Sequence, residues 1–177
     1  MITRVRYFTG QVLGVADFET EQRFLIEGLR RRNRWLHGWG VVGGLHLSLG
    51  PKEIVVAPGF AIDCLGNEIE VDEPSRWPLP GARAGKACYL TLTFAERAVD
   101  PVPAPADPPD GNEAVAYSRV EEGWALAYAA DDPARVHAAA RRTETCGRPH
   151  GIALARLVRA GARWKIDTRY RPGRARM

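Results

Sequence analysis

The chain has 177 residues, a formal net charge of +4, 45% apolar and 26% charged residues, a balance that excludes whole-chain disorder and fits one globular domain. No apolar run approaches the ~20 residues that span a bilayer, and no apolar stretch follows Met1 to Arg6, so neither a spanning helix nor a secretory leader is expected. The positive charge falls in two clusters, Arg30, Arg31, Arg32 and Arg34 near the start and Arg169, Arg171, Arg174 and Arg176 near the end, while 107–122 leans acidic. Such patches suit complementary protein surfaces; the interleaved aromatics of a nucleic-acid platform are missing, so no nucleic-acid partner is expected.

Residues 4–13 read as an extended segment anchored by Tyr7 and Phe8, with a turn at Gly10. A long helix follows over about 15–36. Gly14 is the expected N-cap, with Asp17 at the third helical position; early acids and late arginines complement the helix dipole. Phe18, Leu25, Leu29 and Leu36 recur at helical spacing and read as the core-facing stripe, with Gln22 and Asn33 on the same side. Phe24 and Ile26 lie off it and suggest a second contact surface for another subunit. His37 and Gly38 end the helix, His37 as a cap of the last carbonyls and Gly38 as a left-handed stop.

Beyond Trp39 and Gly40, residues 41–49 read as one strand whose second half alternates apolar and polar. Gly43 and Gly44 allow tight backbone passage. A strand at 53–57 stops at Pro58 and Gly59. Residues 60–63 and 68–71 form hairpin arms around 64–67, where Gly66 and Asn67 suit the turn and Asp63 suits bonding to local amides. Residues 73–85 read as a Pro/Gly-rich loop, and 87–94 as the clearest strand. Five prolines within 99–111, Pro103 and Pro105 among them, exclude a helix or a central strand and predict an excursion from the core. Strands at 115–120 and 124–129 are expected around a turn at Glu121, Glu122 and Gly123. A short helix should run from Asp132 to about Arg142, then a hairpin of 151–158 and 164–167 around Ala160 and Gly161, then a frayed basic tail.

The fold class is therefore α+β, mostly β: one long helix packed on antiparallel hairpins or a sandwich-like sheet. The chain is one domain, 1–177. Within it, 1–50 holds the extended segment, helix and first strand; 51–95 a β core; 96–112 the Pro-rich excursion; 113–170 strands with a short helix; and 171–177 the basic tail.

Little in the sequence carries catalytic chemistry. There is no P-loop and no HExxH, GxSxG or nucleotide-type GxGxxG motif. The glycines at 40, 43 and 44 follow a helix, whereas a phosphate cradle needs helix-N-terminal amides after its glycines. Cys64, Cys88 and Cys146 are an odd count without a CxxC pair, so a reduced environment and core positions for Cys64 and Cys88 are expected. Their spacing to His37, His46, His137 and His150 supports no metal site. No catalytic, cofactor-binding or metal-ligating residue is assigned, and the expected protein is not an enzyme.

One linked pattern is informative: Tyr7-Phe8-Thr9-Gly10-Gln11-Val12-Leu13, Asp17-Phe18, Glu21-Gln22, Asn33-Arg34-Trp35-Leu36-His37-Gly38-Trp39-Gly40-Val41-Val42-Gly43-Gly44-Leu45, then Pro58-Gly59-Phe60-Ala61-Ile62-Asp63 and Gly66-Asn67-Glu68-Ile69. It resembles small baseplate- and tail-associated structural proteins of phage-tail-like particles, including extracellular contractile injection systems and related prophage tails. The likeness covers about residues 7 to 71 and extends more loosely beyond. Members often carry Cys in place of Gly43 and Arg in place of Asn67.

The resemblance implies a non-enzymatic subunit, at a baseplate or tail-fibre attachment, that acts by protein–protein assembly. Its partners would be other baseplate, tube, sheath or fibre proteins, with homo-oligomerisation left open. It would be made and assembled in the cytoplasm and then reside in the particle, extracellular after release. The interface candidates are Tyr7, Phe8, Phe24, Ile26, Arg30, Arg31, Arg34, Trp35, Trp39, Pro103, Pro105, Arg171 and Arg174. The alternative is a free-standing glycan- or peptide-binding β module, which would show a concave aromatic site. An unrecognised enzyme would show convergent titratable groups.

Overall fold

The computed structural model describes residues 3–81, 84–103, 115–137 and 150–176. Helix α1 spans Val15–Leu36, as its periodicity predicts. Gly14 has no side chain to cap with, but Asp17 reaches back, its Oδ2 accepting from the Gly14 amide at 2.9 Å. At the far end Gly38 takes φ +73 and donates to the carbonyls of Asn33 (3.0 Å) and Arg34 (3.2 Å). That is the left-handed C-terminal stop that glycine favours.

The strands follow as β1 (Gly40–Gly44), β2 (Leu47–Leu49), β3 (Glu53–Val56), β4 (Gly59–Ile62), β5 (Glu68–Val71), β6 (Ser75–Pro78), β7 (Ala87–Pro103), β8 (Val115–Ala129), β9 (Ile152–Ala160) and β10 (Arg163–Ile166). They form three antiparallel sheets, ordered β1-β4-β5, β2-β3-β6 and β10-β9-β7-β8. One core draws on all three: Ile54 and Val56 of β3, Ile69 and Val71 of β5, Leu90 and Leu92 of β7 and Leu157 of β9 are fully buried. Cys64 and Cys88 are buried, at the core positions expected of them. Trp164 closes one end of the core and donates its indole N–H to the Pro80 carbonyl at 3.0 Å. The described residues are thus mostly β with a single long helix.

Several expectations change. The helix does not lie on a sheet: Asn33 is its one buried residue. Residues 41–49 are two strands of different sheets, broken where Gly44 (φ +64) and Leu45 (φ +56) turn left-handed. The 43–45 and 58–59 backbones cross so closely there that a Cβ on Gly59 would stand 2.4 Å from the Leu45 amide nitrogen.

The loop over 73–85 contains β6, whose Trp77 pairs with Ile54 in register. Nor do Glu121, Glu122 and Gly123 turn the chain. They pair with Arg97, Glu96 and Ala95 inside one continuous β8, and Arg97 meets Glu121 at 2.7 Å.

The start of the Pro-rich excursion is itself strand. Pro101 and Pro103 pair with Tyr117 and Val115 in a two-stranded ribbon that leaves the body. Being two residues apart, both prolines aim their donorless nitrogens at the same edge of the strand. The rest of the excursion, including Pro105, lies outside the described residues. The short second helix is a 3-10 turn over Pro133–His137, with Asp132 Oδ1 accepting from the Ala134 amide at 2.9 Å; its continuation to Arg142 and Cys146 also lie outside the described residues. The final hairpin turns at Gly161 (φ +63), close to the expected place. The tail, described next, also differs from expectation.

Candidate docking surface

Helix α1 stands on a small polar foot. The turn after β4 is built by Asp63, which is buried; its Oδ1 accepts from the amides of Leu65 (2.8 Å) and Asn67 (2.9 Å), and its Oδ2 from Asn67 Nδ2 (2.7 Å). This presents Gly66 (φ +90) so close to the helix that a Cβ there would meet the Arg30 carbonyl oxygen at 2.2 Å. Asn33 Nδ2 donates to the Gly66 carbonyl and to Glu68 Oε1, each at 3.0 Å. Arg30 Nε donates to Asn67 Oδ1 at 2.6 Å, and its guanidinium also meets Glu27 at 3.1 Å and Glu96 at 3.8 Å. Arg34 donates to the Leu65 carbonyl. Arg30 and Arg34, expected at an interface, therefore use their guanidinium groups inside the chain.

The second part of the foot is the C-terminal tail, which is docked, not frayed. Asp167 turns the chain: Oδ2 meets Arg156 at 2.8 Å and Oδ1 accepts from the Arg169 amide at 3.0 Å. These donors, the backbone amide foremost, hold its carboxyl below the usual aspartate range. Tyr170 follows, edge-on to Tyr89 at 5.4 Å between ring centroids; burial and Asp132 push its hydroxyl well above the ordinary tyrosine value. The tail then runs parallel to β1, bridging Val41 to Arg174. The Val41 amide donates to Gly173 O at 2.8 Å and the Arg176 amide to His37 O at 2.7 Å. His37 Nδ1 lies 3.1 Å from the Arg176 carbonyl oxygen, to which it can only donate. So its ring secures the tail, where the helix's own last carbonyls were expected. Gly40 (φ +126) permits the passage, since a Cβ there would be 2.4 Å from Gly173 O. Trp39 covers Gly173.

Away from this foot the helix is bare. Phe18 is 53% exposed, Leu25 63%, Leu29 42% and Leu36 62%, although their spacing reads as a core stripe. A groove of about 640 Å³ runs along this side, lined by Leu25, Leu29 and Leu36 with Phe24, Arg31 and Trp35. Three predicted interface residues thus come together there, beside apolar residues whose spacing reads as a core stripe. Periodicity marks a stripe that something covers; it does not say whether the cover is the same chain. Ile26 is exposed on the flank.

The segment before the helix folds back along it, where Tyr7 bonds Glu21 and Thr3 helps line a second groove that shares Phe24 and Arg31 with the first. Phe8 is exposed there. The other candidates are separate from the helix: Pro103 is exposed on the ribbon, while Arg171 bonds the carbonyls of Thr168 and Tyr170. Gly43 lies beside an irregularity in the β1–β4 register, and a Cβ on it would touch nothing.

Elsewhere, Tyr128 donates to the Pro78 carbonyl at 2.9 Å, and burial pushes its hydroxyl up to about 12. Cys64 Sγ lies 3.6 Å from His150 Nδ1. Among the described residues no group of three His, Cys, Asp or Glu side chains could hold a metal ion. No helix there is long and apolar enough to cross a membrane.

No protein-family model and no curated protein matches the chain. Solved structures do resemble it. A chain of the TssK–TssF–TssG baseplate subcomplex of the type VI secretion system superposes with a TM-score of 0.55 and 16% identity, over 97% of this chain and 62% of that one. A chain of the type VI secretion baseplate complex gives 0.55 and 14%, over 97% and 60%. The crystal structure of TssK gives 0.54 and 15%, over 97% and 42%. This chain spans less than two thirds of each of those longer chains, and at such identities the likeness is one of fold: the architecture built here is one found in type VI secretion baseplate structures.

Proposed function

We propose that this protein is a non-enzymatic structural subunit of a contractile injection system or phage-tail-like particle, placed at the baseplate or fibre attachment and working by protein–protein assembly. The observation that carries the reading is the bare apolar side of α1. It is held out from the body by a specific polar foot, on a fold shared with baseplate components. Exposed large apolar residues in a contiguous row mark interaction sites, because leaving them in water costs roughly 25 cal/mol per Å². A foot built from Asn33, Arg30 and the docked tail fixes where that row points, which assembly by surface complementarity needs. The partners are other baseplate, tube, sheath or fibre proteins of the same particle. Synthesis and assembly are cytoplasmic, followed by residence in the particle.

The test is co-expression of the tagged chain with the tail and baseplate proteins encoded beside it. Recovery of a stoichiometric complex, weakened by Trp35→Glu, is the expected result. A chain that ignores all of those proteins overturns the reading.

A further inference from the structure

The bare side of α1 carries residues at heptad spacing, five of them apolar and two polar. Counting in sevens from Val15, Gln22, Leu29 and Leu36 share its position, and Phe18, Leu25 and Arg32 occupy the position three further on. All seven are exposed. A 3.5-residue period is the seam of a helix meeting a helix, not the wider face that a helix lays on a sheet. At about 100° per residue the seam lies roughly a quarter-turn from the edge that meets the foot, so a second helix can reach it.

We propose that the occupant is a second copy of this chain, its α1 antiparallel to the first around a two-fold axis beside residue 27. This deepens the docking role given to the helix above by naming what covers it. In that register Leu25 packs on the partner's Leu29, Phe18 on the partner's Leu36, and Gln22 on the partner's Arg32: apolar meets apolar and polar meets polar in every layer. Sliding by one heptad sets Gln22 against Leu25 and Arg32 against Val15. A parallel pair sets Arg32 against Arg32. The charge agrees, because Asp17, Glu19 and Glu21 occupy one end of the helix and Arg30, Arg31, Arg32 and Arg34 the other. Antiparallel pairing brings unlike ends together and opposes the two dipoles.

Gly28 adds an independent observation. In mid-helix a glycine is less stable than alanine by about 1 kcal/mol. Among the described residues nothing requires it: a Cβ there would meet no atom within 4 Å, and its φ is not left-handed. In the proposed dimer Gly28 flanks the two-fold axis and faces its own copy, where the absence of a side chain lets the helices approach. Ile26 faces its copy on the other flank. The contact is isologous and closes at two copies.

Sedimentation and light scattering of the full chain test this. The expected species is a dimer. Leu25→Glu with Leu29→Glu should raise its dissociation constant at least about tenfold with an unchanged circular dichroism spectrum, since both residues are exposed in the single chain. Gly28→Leu should weaken it too. Gln22→Glu reports orientation: it should tighten an antiparallel dimer by facing Arg32, and weaken a parallel one by facing itself. A monomer, a trimer, or a dimer loosened by Gln22→Glu overturns the proposal. A monomer that still assembles with baseplate proteins overturns the dimer and leaves the subunit reading standing. A dimer that binds none of them does the reverse.

Discussion

The side-chain amide of Asn33 reaches 3.0 Å across to the backbone carbonyl of Gly66, and through that contact a helix touching little else of the body is fixed to the β core. Asn33 is buried, so its hydrogen bonds form in a poorly hydrated place. Replacing Asn33 with alanine leaves the Gly66 carbonyl without this donor and removes one from Glu68. A cost of about 1–3 kcal/mol is expected, read as a lower urea midpoint. A loss within about 0.5 kcal/mol, ordinary for a neutral surface change, would mean that the helix stands by other means.

Gly40→Ala strikes the other half of the foot. The new Cβ would need a left-handed backbone and the space held by Gly173 O, 2.4 Å away. The backbone penalty is about 1–2 kcal/mol, and displacing the tail adds to it. Limited proteolysis should cut the variant within 168–176 faster than the parent. Equal cleavage rates would show that the tail holds without this close passage.

Asp167 makes the docked tail acid-sensitive. Its carboxylate bonds the Arg169 amide and Arg156, and its pKa is lowered on folding. The stabilisation is therefore complete above the ordinary aspartate value near 3.9 and is lost as pH falls through the lower native value. Asp167→Asn should be less stable than the parent at neutral pH, with the gap closing in strong acid. Melting curves across pH 2 to 7, as an approximate range, follow it; a constant gap would assign the effect to something other than this charge.

Leu157→Ala examines the core where β9 meets β7. Leu157 is fully buried, and such truncations cost about 2–5 kcal/mol. Val120→Ala, on the exposed ribbon, should change stability by less than about 0.5 kcal/mol. Chemical denaturation of the two variants side by side would reveal whether the ribbon is energetically separate from the body.

The helix and the hairpin turns were legible because they are local. Asp17 and Gly38 mark the ends of α1 within a few residues of the groups they serve, and Asp63 builds its turn from amides two and four positions away. What escaped the sequence is set by distant chain. The break at Leu45 depends on Pro58 and Gly59, and β6 is a strand because β3 offers an edge to Trp77. The continuity of β8 through Gly123 depends on Ala95 across the ribbon. For the candidate surface, helical spacing found the apolar row at Phe18, Leu25, Leu29 and Leu36 but assigned it to the interior. Clustered arginines were read as interface, although Arg30 and Arg34 hold the foot. Neither arrangement is visible in a one-dimensional pattern, because burial by the same chain and burial by another leave the same spacing.

The contact between His37 and Arg176 joins positions 139 residues apart. A ribosome releases α1 long before it makes Arg176, so for most of synthesis the helix has no tail beneath it. Closing so distant a loop is slow and entropically opposed. The helix is therefore anchored in two stages: the contact of Asn33 with Gly66 is available early, whereas the support beneath Val41 and His37 is added only once residues 173–176 are made.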